Sequence, residues 1–173
     1  MASLTDRMMR AARLDVALYE EVEHDQEATG QAMAVVVASS VAAGIGQINA
    51  LGTGGLLLGT LGALGGWYIW AFLTFIIGTR LLPEPQTEAD VGQLLRTTGF
   101  SAAPGVIRVF GIIPGLGAVT ILIAAIWMLI AMVIAVRQAL DYSGTGRALA
   151  VCGIGWLIQI LILAVLIGVV GGV

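Results

Sequence analysis

The stretch Leu116-Gly-Ala-Val-Thr-Ile-Leu-Ile-Ala-Ala-Ile-Trp-Met-Leu-Ile-Ala-Met-Val-Ile-Ala-Val136 holds no charged residue. At 1.5 Å per residue it makes a helix of roughly 31 Å, enough to cross a hydrocarbon core about 30 Å thick. Three more runs are like it: Ala32–Ala50, Leu56–Gly78 and Ala148–Val173. Every arginine lies outside the four runs. The 173 residues are 58% hydrophobic and only 11% charged, against roughly 25% charged in soluble domains. That leaves too little polar surface for a water-soluble globule. The chain is read as an all-α membrane protein.

The charge is unevenly spread. The formal net charge is −3, and seven of the eleven acids fall in the first thirty residues. No basic face exists to hold nucleic acid, so no nucleic-acid partner is expected. There is no lysine, and Cys152 stands alone within an apolar run, where a small core residue is expected. A cleavable signal is not expected, because an acidic amphipathic segment precedes the first apolar run.

That segment, residues 1–25, has Leu4, Met8, Ala11, Leu14, Leu18 and Val22 at helical spacing. It predicts a helix before Asp15, a second to about His24, and a long helix from near Gln26. The pair is expected along the membrane surface or under the bundle. Residues 26–173 are expected to form the membrane domain. Leu51-Gly-Thr-Gly-Gly55 reads as the turn between spans one and two, and Thr87-Glu-Ala-Asp90 as a capping box opening an amphipathic helix.

Gly99–Ile113 is short for a straight crossing and contains Pro104 and Arg108. Topology decides it. If it crosses, Arg7, Arg10, Arg13, Arg80, Arg96, Arg137 and Arg147 share one side, and the positive-inside rule is obeyed. The expectation is therefore five transmembrane helices, in the plasma (inner) membrane, with the N-terminus cytoplasmic and the C-terminus outside.

Three stretches carry a resemblance. Asp15-Val-Ala-Leu-Tyr-Glu-Glu-Val-Glu-His-Asp25 with Ala28–Ala32, Gly99-Phe-Ser-Ala-Ala-Pro-Gly105 with Ile113–Gly117, and Val136-Arg-Gln-Ala-Leu-Asp-Tyr142 with Arg147-Ala-Leu resemble the Yip1 family of membrane proteins, in its short prokaryotic form. The resemblance implies a five-span domain. Eukaryotic members bind Rab GTPases through long cytoplasmic N-terminal regions, where this chain has about thirty residues.

The candidate polar sites are few. Glu20, Glu21, Glu23, His24 and Glu27 share one short helix. Glu21-x-x-His24 has a dimetal-like spacing, but the chain has no second histidine, so a solvated acidic face is expected and no metal. Arg96 is expected to snorkel at the cytoplasmic entrance. Arg108 is expected near Gln47 or Asn49, or at the outer boundary. Arg137, Asp141 and Arg147 crowd one turn and are expected to form a cap or ion pair. Trp67, Tyr68, Trp70, Trp127, Trp156 and Gln159 count out to mid-span, where they either satisfy one another or line a cavity. Gly55-x3-Gly59, Gly62-x3-Gly66 and Gly168-x3-Gly172 suggest close helix packing, within the bundle or in a homo-oligomer.

The G-x-S-x-G elbow, the P-loop and H-E-x-x-H are all missing. No enzyme, catalytic residue or cofactor is expected. The reading that results is a membrane-organising scaffold or adaptor with membrane lipids and a protein as partners. The alternative is a small-molecule or lipid transporter, or lipid-handling protein, with a midplane cavity.

Overall fold

The computed structural model describes residues 2–171, and helices joined by short turns, with no strand among the described residues, make up the fold. The elements are α1 (Leu4–Ala12), α2 (Val16–His24), α3 (Ala28–Gly46), α4 (Ile48–Ile76) with a π turn (Ile77–Leu81), α5 (Val91–Phe100), a 3₁₀ segment (Ala103–Ile112), α6 (Gly117–Ala139) and α7 (Thr145–Gly171). Four helices are long and apolar enough to cross a membrane, and the 3₁₀ segment is a shorter apolar fifth. Their outer faces are bare aliphatic surface. Leu57, Leu58, Leu61, Leu157 and Ile160 are all exposed, as lipid contact requires and water would not tolerate.

The third crossing changes helix type. A 3₁₀ run of ten residues is unusually long, but its 2.0 Å rise stretches it to roughly 20 Å. Pro104 sits in its first turn, where a missing N–H costs nothing. Residues three apart eclipse in this geometry, so Gly105 and Arg108 point the same way, toward α3. The approach is close. A Cβ at Gly105 would lie 2.1 Å from Ser39 Oγ, and one at Gly46 would lie 2.0 Å from the Arg108 carbonyl oxygen.

Small residues thus do allow tight packing, but at α3 and the third crossing. Gly59 and Gly62, which the G-x3-G spacing singled out, meet no atom within 4 Å of an added Cβ, nor does Gly168. Gly172 and the side chain of Asn49 lie outside the described residues.

Two other boundaries moved. The α3–α4 turn begins before the glycine-rich stretch and ends inside it: α3 stops at Gly46, Gly52, at φ +63°, breaks the chain, and Thr53 to Gly55 are already helical. The capping box sits three residues later than the sequence suggested. Asp90 accepts from the Gln93 N–H, and the Gln93 side chain accepts from the Asp90 N–H. Thr87 instead accepts from Glu84 N in the preceding turn.

The predicted helices α1 and α2 form as expected, with Asp15 capping Ala17. Their placement differs. They make a hairpin standing against the flank of the bundle. The indole of Trp127 donates to the Ala12 carbonyl at 2.8 Å, and Gln138 donates to the Glu20 carboxylate. Those two partners on α6 are roughly 17 Å apart along its axis. Leu18, Tyr19 and Val22 are buried with Ala32, Val35 and Phe100 in one core cluster. A second cluster, at the other side of α5, joins Trp70, Leu94, Val136, Leu140 and Val151.

Candidate functional site

The arginine-bearing connections gather at one end. Arg147 donates to the Pro83 carbonyl at 2.5 Å and pairs with Glu84 at 3.3 Å. The Ser143 N–H also donates to Glu84, at 3.0 Å. Gln86 donates to the Asp141 carbonyl at 3.0 Å. The connection after α4 is therefore tied to the turn after α6, as a crossing third segment requires.

Asp141 is not an ion-pair partner. It adopts φ +52°, and the Tyr142 N–H reaches back to the Arg137 carbonyl while its own N–H donates to Gln138. This is a Schellman cap, whose left-handed residue is usually Gly or Asn and here Asp. Arg137 donates to the Tyr142 and Ser143 carbonyls. The acid that Arg147 uses, Glu84, comes from a connection more than sixty residues away in sequence.

Arg96 does not snorkel. It is buried, and its guanidinium caps the end of α2 by donating to the carbonyls of Val22 (2.9 Å) and Glu23. A cation at a helix C-terminus meets the negative end of the dipole.

The acidic helix is only partly a solvated face. Glu20, His24 and Glu27 are exposed. Glu21 and Asp25 take Arg7 at 2.8 and 2.7 Å, and Arg10 bridges Asp15 and Glu21. Arg7 is itself buried and also donates to Gln31 on α3. The Arg10 hydrogen bonds hold the Asp15 and Glu21 carboxyls below their usual range, and the Arg7 bond does so for Asp25. Glu23 is buried, contrary to the expectation. Its Oε1 accepts from Gln93 at 3.2 Å and its Oε2 has no partner. Burial, then the charges of Asp141 and Glu20, push its carboxyl up to about 7.

The mid-span aromatics do not satisfy one another. Trp67 donates to the Leu95 carbonyl and Trp70 to the Met132 sulfur, each at 3.1 Å. Trp70 and Trp156 face each other at 6.5 Å between ring centres. They line a cavity of about 300 Å³ together with Ser39, Trp67, Arg108 and Gln159. A smaller cavity of about 180 Å³, reaching Gln47 and Gly59, shares Arg108 as a wall.

Arg108 lies in the same cavity wall as Gln47 but bonds elsewhere. Its Nε donates to Gly105 O at 3.0 Å; Nη2 donates to Ser39 O at 3.1 Å and Ser39 Oγ at 2.7 Å. No carboxylate pairs with it among the described residues.

Sequence reasoning missed Arg7, Ser39, Glu84 and the glutamines Gln93 and Gln138. Arg7 did leave a signal, as a cation beside Leu4, Met8 and Ala11 on the apolar face of its helix. Ser39 was half visible, since Ser39-Ser40 is a rare polar pair inside an apolar run.

The fold and site define a multi-pass helical membrane protein with a mainly apolar cavity whose wall carries Arg108, Ser39 and Gln159. The model of the Yip1 domain matches residues 21–167, and the chain belongs to the Yip1 family. The family is one of membrane proteins not known as enzymatic. Among curated proteins and among solved structures no match is found.

Proposed function

We propose that this protein is a non-enzymatic lipid-handling membrane protein, whose intramembrane cavity takes the anionic part of an amphiphile against Arg108. The observation that carries the reading is the uncompensated guanidinium. A permanent cation within a span costs about 2.5–3.5 kcal/mol on insertion scales. Here it is held only by neutral acceptors, on the wall of a cavity lined by three tryptophans. An anionic group beside it supplies the missing charge, while the indoles offer apolar faces to acyl chain or glycerol. Trp156 is 47% exposed, so the wall it forms also meets the surrounding lipid and gives an entry from the bilayer.

The experiment is native mass spectrometry and phosphorus analysis of the protein in nanodiscs of mixed phosphatidylglycerol and phosphatidylcholine. Retention of about one anionic lipid per chain is expected. Arg108→Gln keeps a donor for Ser39 and removes the charge; it should lose the retained lipid and stay folded. Equal retention of neutral and anionic lipid would overturn the reading.

The scaffold or adaptor role is the second reading, favoured by the outward glycines of α4. Gly54, Gly62 and Gly65 are exposed, and an added Cβ at each would meet no atom within 4 Å among the described residues. A self-associating scaffold would use this face, and chemical cross-linking in nanodiscs would reveal it. In both readings the arginine-bearing end faces the cytoplasm, in keeping with the positive-inside rule.

A further inference from the structure

On α2, Glu20, Glu23 and His24 follow the i, i+3, i+4 spacing that lines up one helical face. One donor atom from each lies within 4.8 Å of the other two. We infer that these three side chains form a binding site for one divalent first-row transition-metal ion, at the seam where the N-terminal hairpin meets the bundle.

The second observation is Glu23 itself. It is 2% exposed, and its Oε2 has no hydrogen-bond partner. A buried carboxylate oxygen without a partner is an exception that calls for a donor or an ion. The nearby arginines are engaged elsewhere: Arg96 on the Val22 and Glu23 carbonyls, Arg137 on those of Tyr142 and Ser143.

The other two donors each keep an atom free for an ion. His24 Nδ1 lies 2.9 Å from the Glu20 carbonyl oxygen. A carbonyl only accepts, so Nδ1 carries the proton and Nε2 holds the free lone pair. A ligating histidine fixed through its other nitrogen to a carbonyl is the usual arrangement. Each carboxylate is steadied by a glutamine of the bundle: Gln138 of α6 holds one oxygen of Glu20, and Gln93 of α5 holds Oε1 of Glu23. One oxygen of each carboxylate is left over. Two carboxylates and one imidazole suit zinc or cobalt, whereas magnesium and calcium take all-oxygen sets. Ligand atoms sit about 2.0–2.2 Å from such an ion, so the three donors must draw closer together on binding. All three ligands belong to α2, and the glutamines of α5 and α6 that steady them place the ion where the hairpin meets the bundle. This inference does not rest on the lipid reading.

The test uses the full chain in nanodiscs, stripped with EDTA and titrated with ZnCl₂ by calorimetry, with MgCl₂ as control. One zinc per chain is expected, with a raised Tm and no heat from magnesium. Cobalt should give a visible d–d band at the same stoichiometry. Glu23→Gln and His24→Ala should each weaken zinc binding on the order of tenfold or more. Glu27→Gln, an exposed acid just beyond α2, should leave it unchanged. Should Glu23→Gln fail to fold, His24→Ala, at an exposed position, carries the test alone. Absence of saturable zinc binding would overturn the inference, and so would binding that neither variant changes. A rise in Tm on acidification with none on adding zinc would assign the lone oxygen of Glu23 to a proton instead.

Discussion

Arg7 and Arg108 are both withdrawn from solvent, yet the chain treats them oppositely. Arg7 lies between the arms of the hairpin and meets two carboxylates and an amide. Arg108 lies within a span and meets only a hydroxyl and two carbonyls. The difference follows from where acids can be placed. The hairpin comes from the acid-rich first thirty residues, so carboxylates are at hand. The spans hold no acid at all, because a carboxylate in hydrocarbon is as costly as the arginine it would neutralise. The first arginine is therefore a structural tie, and the second, on the function proposed above, keeps a positive charge for an anionic group that enters the cavity.

The largest effect should come from breaking the tie. Arg7→Ala leaves Glu21 and Asp25 facing each other near a buried seam. It should cost about 3 kcal/mol, the low end for a broken buried pair since both acids are partly exposed. Thermal unfolding in detergent should show this as a Tm lowered by several degrees. Arg108→Gln, by contrast, should barely move Tm. If the two variants are equally damaging, Arg108 is structural and the comparison fails.

Next in size is the close approach that holds Arg108 in place. Gly46→Ala drives a Cβ into the Arg108 carbonyl, 2.0 Å away, and a backbone atom cannot step aside. Overpacking of this kind costs about 1–3 kcal/mol, and it should also reduce retained anionic lipid. Gly62→Ala on the outward face of α4 should leave the stability of the monomer unchanged. Loss of cross-linking in that variant would support the scaffold reading.

Acid should separate the two regions further. The carboxyls of Asp15, Glu21 and Asp25 are held below their usual range by Arg10 and Arg7. A depressed carboxyl contributes stability above its unfolded pKa of about 4 and loses it as pH falls through the folded value. The hairpin should therefore be firm at neutral pH and loosen below about pH 4. The stability difference between the wild type and Arg10→Gln, measured by thermal unfolding, should shrink over that same range.

The smallest effect concerns the turn after α6. Asp141 sits at φ +52°, a conformation costing a side-chain-bearing residue about 1 kcal/mol. Asp141→Gly should be neutral or slightly stabilising, and Asp141→Val destabilising by about 1 kcal/mol. Destabilisation by Asp141→Gly that vanishes in high salt would restore the ion-pair reading.

Much of this molecule was legible in the residues. Apolar length alone fixed the four long spans. The arginine pattern argued that Gly99–Ile113 crosses, and the geometry agrees: Arg147 and Ser143 meet Glu84 at one end of the bundle. The caps at Asp15 and the helices on either side of it were legible too, because capping is decided within four residues. What sequence could not supply was partnership across distance. Arg96 snorkelling and Arg96 capping α2 look identical in one dimension. Asp141 stood beside two arginines in sequence, but a helix ends there in a left-handed residue, and Arg147 turned to Glu84 instead. Glu23 looked like its solvated neighbours until α5 was laid over it. Composition and periodicity determined what must sit in lipid, since hydrophobic transfer is a property of each residue alone. Only the tertiary structure decided which buried charge meets a carboxylate, which meets a carbonyl and which meets a cavity, since an electrostatic interaction belongs to a pair.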